Sequence, residues 1–185
     1  MDSRTLIMEA TIDEFKRTGH KFTMDHIAKR LSMSKKTLYT LFQDKETLFF
    51  ETVDYYFDAV KESELQIMED STLNIVDKIH RLLVLLPERY QNMDWHQIYS
   101  GKEKYPRIYA HFKKRLDKAW ETIIALLEEG MNQGKIKRFS IPVLKAMVEA
   151  SIEHFLSSES FIQEKIPYET ALNEMASIIM NGILA

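Results

Sequence analysis

This 185-residue chain contains no cysteine, which excludes disulfide bonds and thiolate-ligated metal sites. It has only 5 glycines and 4 prolines, too few for the many turns of a strand-rich fold. No uncharged stretch reaches the roughly 18 to 20 residues that a membrane-spanning helix needs. Because 45% of the residues are apolar, the chain can still bury a substantial core. The composition therefore predicts an all-α, cytoplasmic protein.

The charge is unevenly distributed along the chain. The formal net charge is -3, yet residues 1–50 hold nine basic and seven acidic residues, which leaves the excess of acids in residues 51–185. Between residues 16 and 45, eight cations face only Asp25 and Asp44. This segment is either a phosphate-facing surface or a solvated basic face. The eight cations are Lys16, Arg17, Lys21, Lys29, Arg30, Lys35, Lys36 and Lys45.

Three short helices are predicted within the first 45 residues. An apolar stripe that includes Leu6 and Phe15 predicts the first helix, and Gly19 provides its end. The hydroxyl of Thr23 suits the N-cap of a second helix, and that of Ser34 suits the N-cap of a third, which runs from about Lys35 to Phe42. Two short helices joined by a tight turn, the second with polar side chains facing outward, form a helix-turn-helix.

The stretch FTMDHIAKRLSMSKKTLYTLFQDKETLF, residues 22–49, resembles the DNA-binding signature of the tetracycline-repressor (TetR) family. The resemblance covers roughly residues 4–50. It implies an N-terminal three-helix DNA-binding domain, residues 1–46, and a C-terminal helical domain for effector binding and dimerisation, residues 47–185.

The resemblance also implies which side chains contact DNA. Tyr39 and Lys45 are expected to hold phosphates, and Thr23 is a further candidate. Lys35, Lys36, Thr37 and Thr40 are the candidates for reading base edges. The full predicted DNA-binding set is Thr23, Ser34, Lys35, Lys36, Thr37, Tyr39, Thr40 and Lys45.

Two residues depart from the family pattern. Ser32 occupies the turn where glycine is usual, so it must either adopt or avoid a left-handed conformation, at some cost. Lys36 replaces a second, often glycine, position, and its cation could reach either a guanine edge or a phosphate.

The end of the chain carries two apolar helices, at about residues 142–156 and 168–184. The second is apolar around too much of its circumference for a surface helix, which indicates a partner surface. The resemblance implies a four-helix homodimer interface that includes Ile152 and Ile179. The alternative is a hairpin buried within one monomer.

A middle stretch rich in aromatic residues, together with histidines on neighbouring helices, suits a small-molecule pocket. The alternative for each of these residues is an ordinary place in the core. The predicted ligand-binding set is Tyr90, Trp95, His96, Tyr99, His111, Trp120 and His154.

The sequence contains few of the motifs that are typical of enzymes. No H-E-x-x-H pair, repeated E-x-x-H motif or glycine-rich phosphate loop is present, so no catalytic residue, metal site or cofactor is predicted. The predicted function is a TetR-like repressor that binds a palindromic operator as a dimer and is released by a small-molecule effector. A helical-bundle enzyme and a structural or adaptor dimer are the alternatives.

Overall fold

The computed structural model describes residues 2–87, 90 and 95–185, without the side chains of residues 95, 97, 98, 160 and 162. Within these residues the regular structure is helical apart from a single antiparallel bridge between Ile136 and Leu184, which confirms the predicted all-α fold. A 3-10 turn, Gly19–Lys21, follows the first helix. The α-helices are α1 Ser3–Thr18, α2 Met24–Arg30, α3 Lys35–Leu41, α4 Lys45–Glu69, α5 Ile75–Leu83, α6 Trp95–Ser100, α7 Pro106–Asn132, α8 Ile141–Ser157, α9 Glu159–Gln163 and α10 Tyr168–Ile183.

The chain forms two compact units. Unit 1 contains Met1–Ala59 and Met93–Arg115, and unit 2 contains Val60–Asn92 and Leu116–Ala185. Unit 1 therefore includes α6 and the start of α7 in addition to the predicted DNA-binding helices. The predicted boundary between residues 46 and 47 separates the DNA-binding domain from the effector-binding and dimerisation domain. The compact units do not test this functional division, so it stays a prediction.

The core of unit 1 is small and partly aromatic. Leu38 of α3 is fully buried, as are Phe22 and Phe42 on either side of the helix-turn-helix. Phe49 on α4 contacts both Phe15 and Phe22, with ring centroids 5.4 and 5.6 Å apart. This core fixes α3 by its inner side and leaves its outer side to solvent.

Side-chain caps begin the short helices, as the sequence predicted. The Thr23 hydroxyl accepts a hydrogen bond from the backbone N–H of His26 at 3.2 Å, and the Ser34 hydroxyl accepts one from Thr37 at 3.0 Å. Asp44 does the same for α4, where it accepts from the N–H of Thr47 at 2.7 Å. These caps satisfy amide groups that have no partner within the helix.

The turn between α2 and α3 is a Schellman motif with serine in the left-handed position. Ser32 has a φ of 51°, its N–H bonds to the Lys29 carbonyl, and the Met33 N–H bonds to the Ala28 carbonyl. The same pair of bonds ends α7, but there Gly134 takes the left-handed position with a φ of 66°. Of the two options that the sequence left open, Ser32 thus adopts the strained one.

The core of unit 2 is larger and mainly aliphatic. It joins α5, α7, α8 and α10, and Leu127, Ile79 and Val148 are among its most buried members. The chain end is held by backbone hydrogen bonds from Lys137 to Ile183, at 2.7 Å, and from Ala185 to Lys135.

The last two long helices carry exposed apolar side chains. Met147 on α8 is 58% exposed and Ile178 on α10 is 73% exposed. Ile152 and Ile179, which we expected in a dimer interface, are partly buried and pack against the unit 2 core. Their place in an interface between two copies of the chain stays a prediction.

Candidate nucleic-acid interface

The outer side of α3 is a continuous exposed polar surface. Ser34, Lys35, Lys36, Thr37 and Thr40 are all exposed. Tyr39 is 48% exposed, with its ring outside the core. Leu38 is buried and Leu41 is half-buried against the unit 1 core, so the remaining side chains of α3 are available to a partner. Its seven residues match the part of a recognition helix that enters a major groove.

The hydroxyl groups of α3 are oriented by bonds within the helix. The Thr40 hydroxyl donates to the Lys36 carbonyl at 2.8 Å, which leaves its lone pairs free to accept a hydrogen bond. Thr37 and Ser34 share a hydrogen bond between their hydroxyl oxygens, also at 2.8 Å. An accepting Thr40 suits the amino groups of adenine or cytosine in the major groove.

Carboxylates neutralise part of the basic segment. Arg30 on α2 bonds to Asp13 at 2.8 Å and to Glu14 at 3.2 Å, and Arg17 bonds to Glu14 at 2.7 Å. Lys35 pairs with Asp25, so this ion pair joins α2 to α3. The eight-cation surface that the sequence suggested is therefore smaller, with Lys21, Lys29 and Lys36 exposed and no carboxylate partner described for them.

Glu14 is the buried centre of this ion-pair network. Its side chain is 5% exposed, and the hydrogen bond from Arg17 holds the pKa of the Glu14 carboxyl below its usual range, with a further contribution from Arg30. The network ties α2 to α1 and so fixes the base of the helix-turn-helix.

Lys45 lies in a partly aromatic environment at the start of α4. Its ammonium donates to the His20 carbonyl at 2.6 Å and lies 4.3 Å from the centroid of the Phe22 ring. The Tyr105 ring, from the segment before α7, is 5.4 Å away. Burial, with a smaller contribution from the nearby ammonium of Lys104, lowers the pKa of Lys45 to about 8. The phosphate contact of Lys45 stays a prediction, and two N–H donors of this ammonium remain for it beside the bond to the His20 carbonyl.

Sequence reasoning missed Tyr105 and its neighbour Lys104. Tyr105 contacts Phe49 edge to face, with centroids 5.8 Å apart, and His20 at 6.5 Å. The signal was present, because the stretch GKEKYPR, residues 101–107, combines cations with a tyrosine as α3 does.

The predicted ligand-binding residues divide between the two units. In unit 1, His111 stacks on Phe50 at 4.0 Å and bonds to Asp54 at 2.8 Å, His96 and Tyr99 are half-buried, and the Trp95 side chain lies outside the described residues. In unit 2, Tyr90 and Trp120 are buried and His154 is exposed. Their role in a pocket stays a prediction.

A separate open cleft of about 740 Å³ lies within unit 2, and none of the predicted ligand-binding residues lines it. Its wall combines apolar side chains such as Leu126 and Ile75 with polar ones such as Lys78 and Glu129. Among the described residues, no group of three or more His, Asp or Glu side chains could hold a metal ion. The described helices also include none long and apolar enough to cross a bilayer.

Residues 7–52 match the sequence profile of the family described as "Bacterial regulatory proteins, tetR family". The HTH-type transcriptional regulator YvaF of Bacillus subtilis (strain 168), itself uncharacterized, is 25% identical over 185 residues, which is 100% of this chain and 96% of that protein. YhgD, an uncharacterized HTH-type transcriptional regulator of the same organism, is 36% identical over 89 residues, 48% of this chain and 46% of that protein.

Solved structures share the whole fold at low identity. A transcriptional regulator from Saccharomonospora viridis in complex with choline is 17% identical, with a TM-score of 0.80 over 99% of this chain and 98% of that one. FadR from Bacillus subtilis in complex with stearoyl-CoA is also 17% identical, with a TM-score of 0.67 over 97% of this chain and 98% of that one. At this identity the likeness establishes the arrangement of helices.

Proposed function

Because this chain is a TetR-family transcriptional regulator, as its sequence predicted, we propose that it is a repressor that binds a palindromic operator as a homodimer in the bacterial cytoplasm. A small-molecule effector releases it from DNA.

The observation that carries this proposal is the exposed polar side of α3. Leu38 anchors α3 in the core, and the Ser34 hydroxyl caps the start of the helix. The polar side chains of α3 therefore project from a fixed backbone. Lys36 has no described carboxylate partner and is available to a guanine edge, and Thr40 is oriented to accept a hydrogen bond. Tyr39, with an exposed phenol, is assigned to a phosphate.

The homodimer is supported by the exposed apolar side chains of α8 and α10. Val143 and Met147 are 56% and 58% exposed on consecutive turns of α8, and the small Ala146 and Ala150 are exposed beside them. Ile178 extends the apolar surface on α10. A second copy of the same surface would cover these side chains, and small residues allow helices to approach closely. Two recognition helices would then meet half-sites about 34–36 Å apart.

Two observations support the binding of an effector: the size of the unit 2 cleft, and the ligands held by solved structures of the same fold. The cleft of about 740 Å³ has the volume of a small-molecule site. Structures of the same fold hold choline in one case and stearoyl-CoA in another. The effector chemistry of this chain is open to a direct screen by thermal shift, with Trp120 fluorescence as a second signal.

The test of the DNA-binding function starts with selection of duplexes from a random pool by the purified protein. Binding of the selected operator and of a scrambled duplex is then measured for wild type, Lys36→Ala, Thr40→Ala and Tyr39→Phe. We expect the Lys36 and Thr40 variants to lose discrimination between the duplexes, by about 5- to 100-fold for a good contact. Tyr39→Phe should weaken both duplexes equally.

Lys118→Ala on α7 is the matched control, since it removes one exposed cation far along the chain from the helix-turn-helix. Failure to enrich any sequence, with no salt-dependent binding of the pool, would refute the function and leave the structural or adaptor dimer as the better interpretation.

A further inference from the structure

A segment far from the helix-turn-helix in sequence packs beside it within unit 1. Residues 101–105 form a turn after α6, with backbone bonds from Lys102 to Tyr99 at 3.0 Å and from Tyr105 to Gly101 at 2.8 Å. Tyr105 then contacts His20 and Phe49. The side chains of this turn are therefore held at a fixed place relative to α4 and to the loop before α2.

The turn places the Lys104 ammonium near the same tyrosine ring that the Lys45 ammonium approaches. Lys104 lies 5.6 Å from the Tyr105 ring centroid, and Lys45 lies 5.4 Å from the same centroid. The distance between the Lys45 and Lys104 ammonium nitrogens is therefore at most the sum of these two distances. Lys104 is exposed, and among the described residues no carboxylate lies within ion-pair distance of it.

No acidic residue nearby has a described contact with Lys104, and two of them bond to other groups. Asp44 caps α4 through the Thr47 amide, and Glu46 pairs with Arg107 at 3.6 Å. Glu103 is exposed, with no described contact to Lys104. The two ammoniums therefore repel each other with no carboxylate paired to either among the described residues, and the lowered pKa of Lys45 reflects burial together with that repulsion.

We propose that Lys104 is a phosphate-binding residue of the operator complex, and that the residue 101–107 turn extends the DNA contact surface beyond the helix-turn-helix. The proposal rests on the proposed DNA-binding function. A phosphate beside Lys45 would lie between or next to both ammoniums and would convert their repulsion into attraction. The contact is to the backbone, so it positions the protein and reads no sequence.

The experiment measures the affinity for the selected operator and a scrambled duplex as a function of salt, for wild type, Lys104→Ala, Lys104→Gln and Lys104→Arg. Lys104→Gln removes the charge while it keeps a polar side chain with N–H donors. Lys114→Ala, on α7 in the same unit, is the matched control because it removes an equally exposed cation. Melting curves establish that each variant is folded at the temperature of the titration.

We expect Lys104→Ala and Lys104→Gln to weaken both duplexes by about the same factor and to reduce the salt slope by about 0.9 per subunit. Lys104→Arg should retain the slope, and Lys114→Ala should leave it unchanged. Slopes of Lys104→Ala and Lys104→Gln equal to that of Lys114→Ala would overturn the proposal. In that case sequence-selective binding by wild type would still stand, which separates this failure from failure of the proposed function.

Discussion

Unit 1 and unit 2 are held together by different forces. In unit 1, short helices surround a small core with several aromatic rings, and most ion pairs of the described residues lie there, including those of Arg30, Lys35 and Arg115. Unit 2 instead buries long aliphatic stripes of α5, α7, α8 and α10. Unit 1 therefore combines a small buried core with many ion pairs, whereas unit 2 depends mainly on buried apolar area. Changes of pH, charge or a single hydrogen bond should act mainly on unit 1.

The largest effect is expected from a charge placed on the apolar surface of unit 2. Ile178→Glu would bury an unpaired carboxylate in the proposed homodimer interface. Loss of the second recognition helix should weaken operator binding by about 100- to 10,000-fold. Analytical ultracentrifugation and operator titration measure both effects. Asn173→Glu, on an exposed position elsewhere on α10, is the control. A dimeric Ile178→Glu protein would place the interface elsewhere.

Two fully buried leucines test whether the units lose structure separately. Leu38→Ala in unit 1 and Leu127→Ala in unit 2 should each lower the free energy of unfolding by about 2–5 kcal/mol. Hydrogen exchange on the whole protein should show lost protection in α1 to α3 for the first variant and in α5, α7 and α10 for the second. Equal loss throughout the chain in both variants would mean that the difference between the units does not extend to their cooperativity.

Acid should act first on unit 1, through Glu14. Its pKa is lower in the folded protein than in the unfolded chain, so its ion pairs stabilise the fold fully above the unfolded value of about 4.5. This contribution is lost as pH falls through the depressed folded value. Glu14→Gln should lower the free energy of unfolding by about 1–3 kcal/mol at pH 7, and this difference from wild type should shrink as the pH falls through the depressed pKa of Glu14. Glu149→Gln, on an exposed pair in unit 2, should cost at most about 1 kcal/mol. Urea titrations at several pH values provide the measurement.

The smallest expected effect concerns the two Schellman turns. Ser32→Gly should raise the free energy of unfolding by about 1 kcal/mol, because glycine adopts a positive φ without strain. Gly134→Ser should lower it by a similar amount, since nothing lies within 4 Å of the added Cβ and only the backbone strain changes. Thermal melts of both variants, and of the double variant, check the signs. Two shifts of the same sign would contradict the assignment of strain to Ser32.

Local features of this fold were predictable from sequence, and features that depend on distant residues were not. Thr23 and Ser34 were identified as caps because a cap involves amides two or three positions away. Arg30 on α2 pairs with Glu14 on α1, 16 positions earlier in the chain. A count of charges along the sequence misses such a pair, and it therefore overestimated the basic surface. Lys45 was placed at the start of α4, but its contact with Tyr105 depends on a segment 60 positions later.

The ion pair between Lys35 and Asp25 bears on how the protein would search a genome. On random DNA, Lys35 can stay with Asp25, so a wrong site gains nothing from this cation. At the operator, a guanine edge has to offer more than the carboxylate does before Lys35 exchanges partners. Asp25 thus competes with DNA for the Lys35 ammonium at every site, and the free energy of this ion pair is subtracted from any contact that Lys35 makes. The pair therefore holds Lys35 in place at the start of α3 and makes its predicted contribution to operator binding smaller than that of Lys36, which has no described carboxylate partner.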